Sequence, residues 1–223
     1  MAESAAASAA KPTVIIVHGA CTALSTSKTS PAPWARTDTE SWPRPFPPST
    51  RPLGRSHRTA KPILRPDPND VILVPHSYGG IPASGAIQDL DPRSWAAAGK
   101  STSMRAIAAI TSFILPEGMT HPGDVPAESE TYRTAKSNLN VMSMAALVDR
   151  CRFSAFEVVP VHFLLAREDQ AMKFATQESV VQRITDRGRV VRTEVLDGCS
   201  HSPFLSRVAE TVAIVRRSAG EDI

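Results

Sequence analysis

The chain has little cysteine: Cys21, Cys151 and Cys199 are its only three, with no close pair and no CxxC. An odd count cannot be paired completely within one chain, and reduced thiols in a cytoplasmic setting are the simpler expectation. Clusters of His, Cys or carboxylate at ligand spacing are missing as well, so no metal site and no cofactor are expected. No apolar run is long enough to span a bilayer. The opening "MAESAAASAAKPT" lacks both a basic n-region and an apolar h-region; it does not read as a secretory signal, and residues 1–11 are expected to be a flexible tail. Charge of one sign is not in excess either. With 25 Lys and Arg against 22 Asp and Glu, the formal charge of +3 gives a nucleic-acid partner nothing to hold.

What is present is ordinary for a globular domain: 42% hydrophobic and 21% charged residues over 223 positions, enough for one full core and too few for two. Five segments alternate with helix-like ones in the rhythm of a parallel sheet covered by helices: 13–20 (TVIIVHGA), 70–77 (DVILVPHS), 105–116 (RAIAAITSFILP), 159–169 (VPVHFLLARED) and 188–198 (GRVVRTEVLDG). Several are continuous and β-branched, as strands buried on both faces must be. Helices are expected over 79–90, 171–186 and 204–218, the last from the spacing of Phe204, Leu205, Val208, Val212 and Val215. The fold class is α/β.

Two stretches depart from the rhythm. Residues 31–68 carry 10 of the 19 prolines and six arginines, with no valine and only Leu53, Ile63 and Leu64 as branched aliphatics. Proline blocks helix interiors and central strands, so the stretch 22–69 is expected to be an irregular insert. Residues 117–159 are milder. Leu139, Met142, Ala146 and Leu147 or Val148 share a helical face there, which suggests a short cap over the carboxyl side of the sheet.

The chemistry gathers at 71–80 (VILVPHSYGG). Ligands of an open parallel sheet bind at the carboxyl ends of the strands, and Ser77 stands at that end of the second strand. A serine on a sharp strand-to-helix turn needs small neighbours, and Gly79 and Gly80 supply them; the usual pattern is G-x-S-x-G, and Pro75 occupies its first position. A serine hydroxyl needs a base to take its proton, and the base needs a carboxylate to orient it. Asp169 follows the fourth strand and His201 the fifth, in the order Ser, acid, His. Charge developing on a substrate oxygen would be met by backbone N–H groups of Tyr78 and of the loop after the first strand, where Ala20 is the candidate and Gly19 keeps the turn narrow. Glu168 is an alternative acid beside Asp169. His18 and His76 are expected to pack near the site, His57, His121 and His162 to be incidental, and Cys21 and Cys199 to be small buried thiols.

The motifs VHGAC, ILVPHSYGG, AREDQAM and GCSHSPFLS resemble the signature regions of the α/β-hydrolase superfamily, most nearly the small esterases grouped with plant methyl esterases and hydroxynitrile lyases. The likeness covers residues 13–21 and most of 70–217. It implies Ser77 as nucleophile, Asp169 as acid, His201 as base, and Ala20 and Tyr78 as oxyanion donors. It also implies that one strand and two helices of the family are missing where 22–69 stands, leaving TVIIV as an exposed apolar edge. The function expected from the resemblance is hydrolysis of a carboxylic ester or lactone of a small apolar molecule, in secondary metabolism. The apolar cap residues Met142, Met144, Leu147 and Phe156 suggest the apolar pocket. Its alternatives are a degenerate, inactive member and a lyase on the same fold.

Overall fold

A computed structural model describes residues 11–19, 70–120 and 150–223. The expectations for 1–10, for 22–69, for most of the cap, and for Ala20, Cys21, Met142, Met144 and Leu147 lie outside the described residues.

Five strands form one parallel sheet in the order β1-β2-β3-β4-β5: β1 Thr13–Val17, β2 Val71–Pro75, β3 Met104–Ile110, β4 Val161–Ala166 and β5 Val191–Leu196. Each lies inside or within a residue of the segment expected from the sequence. Parallel neighbours laid down in chain order are joined by crossovers of one hand, so successive connections pass over the same face of the sheet. Helices α1 (Gly80–Ile87) and α3 (Phe174–Thr185) obey this. They place Ile81, Ala83, Ile87, Val180 and Ile184 in one cluster with Leu73, Ile107, Phe163 and Leu165. Helix α5 (Val208–Ser218) follows the last strand and is free to fold back on the other face, where Ile214 joins Ile72, Val74, Ala106, Ala108 and Leu164. β2, β3 and β4 are therefore covered on both sides, which is why they read as unbroken apolar runs.

The two edges differ. Among the described residues β5 pairs only with β4, and it carries Arg192 and Glu194, a charged border of the kind that blunts further pairing. β1 pairs with β2 through Val14↔Ile72 and Ile16↔Val74, so these two side chains continue the apolar row of β2 on the α5 face of the sheet, beyond the cluster that α5 covers. Val14 and Ile16 are 40% and 53% exposed, and among the described residues β1 ends the sheet.

Two local expectations are corrected. The helix foreseen over 204–218 is divided into α4 (Pro203–Ser206) and α5, because Arg207 leaves helical geometry at φ −129° and ψ 54°. That break shifts the phase: Thr211, Ile214 and Ser218 form the buried stripe, while Phe204, Leu205 and Val208 stand exposed. Thr211 and Ser218 tolerate burial because their hydroxyls donate to carbonyls one turn back, at 2.8 Å each. A further helix, α2 (Pro92–Ala97), was not expected. Asp91 caps it, its carboxylate accepting from the N–H groups of Arg93 and Ser94, with Pro92 at the first helical position.

Candidate active site at the carboxyl edge

Pro75 is the last residue of β2, and its missing N–H does not interrupt the hold on the turn beyond it. The next two N–H groups are bonded to different neighbours, His76 to the Val17 carbonyl at 3.0 Å and Ser77 to the Thr111 carbonyl at 3.1 Å. Ser77 opens a single 3-10 turn, Ser77–Gly79, that runs straight into α1. Its φ is 53°, a left-handed conformation that costs a serine about 1 to 3 kcal/mol and persists only where the surroundings impose it. They do so here through the Ser77 carbonyl, which accepts from Ser112 Oγ at 2.8 Å and from the Phe113 N–H at 3.1 Å.

Glycine is a requirement around this serine. A Cβ at Gly79 would lie 2.3 Å from the Val17 carbonyl oxygen, and one at Gly19 would lie 2.9 Å from Ser77 Cβ. The loop leaving β1 thus passes directly over the serine. Tyr78, the first expected oxyanion donor, is the middle residue of the turn. Ala20, the second, is outside the described residues.

Asp169 and His201 are brought together. His201 Nδ1 lies 2.7 Å from Asp169 Oδ2, and the aspartate side chain is fully buried while the imidazole is 23% exposed. The carboxylate is fixed on its other oxygen by the N–H groups of Ala171 and Met172, both at 2.8 Å. A carboxylate accepts, so the imidazole donates from Nδ1 and Nε2 is left with its lone pair, the tautomer required of a base. Glu168 is placed differently: Oε2 accepts from the Cys199 N–H at 2.9 Å, tying the loop after β5 to the loop after β4. Of these two adjacent acids, Asp169, the one chosen from the sequence, is the one that meets His201.

His201 is also tied to the serine's own strand. Its carbonyl oxygen accepts from His76 Nε2 at 2.8 Å and from Thr111 Oγ1 at 2.9 Å. The His76 and His201 rings stand 4.7 Å apart, and Phe204 meets His76 edge-on at 5.0 Å. Burial, and then the proximity of His201, holds His76 down at a pKa of about 4, so its ring is neutral. Gln177, wholly buried in α3, braces the β4 turn by accepting from the Ala166 N–H and donating to the Ala166 and Met172 carbonyls. Neither Thr111 nor Gln177 carries a sequence signal for these roles. Among the described residues no group of three or more His, Cys, Asp or Glu is placed to hold a metal ion. Nor is any described helix long and apolar enough to cross a membrane.

A serine on the turn leaving one strand, with an aspartate and a histidine on turns leaving two others, stands at the carboxyl edge of one parallel sheet in an α/β protein. The chain belongs to the alpha/beta hydrolase family, whose model it matches over residues 14–214. Among solved structures it is similar to the pyrethroid hydrolase PytH, at 16% identity, with a TM-score of 0.47, over 70% of this chain and 74% of that one. It is similar to a methylesterase from Arabidopsis at 16% identity, with a TM-score of 0.46, over 71% and 72%. An esterase from Thermogutta terrifontis is more distant, at 13% identity and a TM-score of 0.38, over 66% of this chain and 53% of that one. A search of curated proteins returned no match.

Proposed function

We propose that the protein is a serine hydrolase that cleaves a carboxylic ester or lactone of a small, largely apolar molecule. The observation that carries the reading is the buried Asp169 carboxylate bonded to His201 Nδ1, on a loop that is itself bonded to the residue preceding Ser77. In this reading Ser77 Oγ attacks the substrate carbonyl carbon while its proton passes to His201 Nε2. The negative oxygen that forms is met by the backbone N–H groups of Tyr78 and Ala20. His201 returns the proton to the departing alkoxide, leaving Ser77 acylated. Water then attacks the acyl group, gives its proton to His201, and the acid departs as the proton goes back to Ser77. Asp169 stays ionised throughout and stabilises the imidazolium formed in each half. The apolar cap residues Met142, Met144 and Leu147 supply the substrate's apolar surroundings in this reading; Phe156, expected to join them, is instead buried in the core just before β4, at the amino edge of the sheet. A role in secondary metabolism belongs to the same reading and follows from the family resemblance; a cytoplasmic location is part of it on the ground of the three unpaired cysteines.

A fluorophosphonate probe tests it. The folded protein is expected to be labelled at Ser77, and Ser77→Ala to abolish the labelling. A folded sample that takes up no label refutes the hydrolase reading and leaves a member of the family without catalysis.

A further inference from the structure

One carbonyl oxygen, that of His201, accepts two hydrogen bonds from side chains outside its own loop. Thr111 Oγ1 reaches it at 2.9 Å from the end of β3, and His76 Nε2 at 2.8 Å from the end of β2. A carbonyl cannot donate, so His76 must carry its proton on Nε2, and its Nδ1 is a bare lone pair. That Nδ1 edge lies against the loop leaving β1, since a Cβ on Gly19 would be 3.1 Å from it. A single imidazole thus touches the loop that passes over Ser77 and the loop that carries the base, and it belongs to the residue just before the serine.

We infer that His76 and Thr111 are positioning residues that lock the His201 backbone against the ends of β2 and β3, so that the imidazole is held in reach of Ser77. Asp169 fixes how the His201 ring is turned, through Nδ1; it does not fix where the residue sits. The loop from Asp197 to Ser202 has a positive φ at Gly198 and exposed residues at Asp197, Gly198 and Ser200. It is anchored at Asp197, whose carboxylate and carbonyl accept from Arg167 and Arg207, at Cys199, bonded to Glu168, and, nearest the imidazole, at the doubly held carbonyl of His201. The left-handed Thr111, φ 39°, is explained by the same arrangement. From one residue it offers its carbonyl to the Ser77 N–H and its hydroxyl to the His201 carbonyl, so nucleophile and base are referred to a common point. The site around His76 supports a lasting Nε2–H tautomer: of its charged and titratable neighbours, His201 and His18 act with burial to keep the ring neutral, and together they outweigh Asp169.

The inference rests on the hydrolase reading for its catalytic consequence, and two measurements keep them apart. Amide hydrogen exchange over 198–203 reads the holding of the loop directly. The rate of fluorophosphonate labelling of Ser77 reads the consequence. Thr111→Val and His76→Leu each remove one donor, whereas Thr111→Ser and His76→Gln each keep one. The two donor-removing variants are expected to exchange faster over 198–203 and to label between about 10- and 100-fold more slowly, as misplaced catalytic groups do. With p-nitrophenyl acetate, kcat should fall while KM stays within twofold, and Thr111→Ser should recover the parent rate. The double variant should lose less than the product of the two single losses, because both donors serve one oxygen. Unchanged exchange in Thr111→Val overturns the inference, as does faster exchange with undiminished labelling. If His76→Leu fails to fold, the Thr111 pair decides alone. A folded parent protein that does not label refutes the hydrolase reading, and the exchange data still decide whether the two side chains hold His201.

Discussion

His76 makes the stability of this protein depend on pH in a way that can be calculated. Its pKa falls from the ordinary 6.5 to about 4, chiefly because burial penalises the charged ring and next because His201 stands beside it. In the unfolded chain His76 binds a proton as the pH drops through 6.5; in the folded chain it does so only near 4. Between those values the unfolded state holds more protons, so acid favours unfolding and the loss is complete once the folded form is protonated as well. The difference corresponds to about 3 kcal/mol, a large part of the roughly 5 to 15 kcal/mol that stabilises a typical domain. Other groups titrate over the same range, so the informative quantity is a difference. Urea melts of the parent and of His76→Gln at pH 7, 5.5 and 4 should show the parent losing about 3 kcal/mol more than the variant across the range. His76→Gln keeps an N–H donor in place of Nε2 and cannot titrate. Parallel pH dependences in the two proteins would falsify the account of a buried neutral imidazole.

Two further outcomes follow from the site's geometry. Asp169→Asn should leave the melting temperature near that of the parent, because an amide oxygen can still accept from Ala171 and Met172, yet lower kcat by about three to four orders of magnitude through the wrong His201 tautomer; a loss of less than tenfold would mean that another group orients the base. Gly79→Ala places a methyl 2.3 Å from the Val17 carbonyl and 2.7 Å from that of His18, both rigid backbone. It should destabilise the fold by about 3 kcal/mol or more in a denaturant melt, and a variant as stable as the parent would show that the turn opens easily.

The strands were legible because burial on both faces demands unbroken apolar runs, and VILV, IAAI and FLLA meet that demand. The order of serine, acid and histidine was legible because loops at one sheet edge must come from successive strand ends. The phase of α5 was not. Val208, Val212 and Val215 have helical spacing, but the break at Arg207 turns a different stripe inward, and Thr211 and Ser218 enter the core only because each hydroxyl finds a carbonyl a turn earlier. Helix α2 was overlooked although Asp91 followed by Pro92 is a capping signal that the chain states openly. Thr111 and Gln177 were beyond reach for another reason: their partners lie 90 and 11 residues away, and nothing in a linear pattern marks a polar side chain that will meet a distant backbone group.

The left-handed backbone at Ser77 bears on how this protein responds to selection. At φ 53° a glycine adopts the same geometry without the steric penalty of a side chain, so replacing Ser77 by glycine is expected to raise the melting temperature while removing the proposed nucleophile. Thr111, at φ 39°, presents the same conflict. A library ranked by thermal survival alone would therefore drift away from the residues at the centre of the proposed site. Any attempt to strengthen the protein has to leave these two positions out, and to draw its gains from the exposed apolar border of β1 or from the surface of α5.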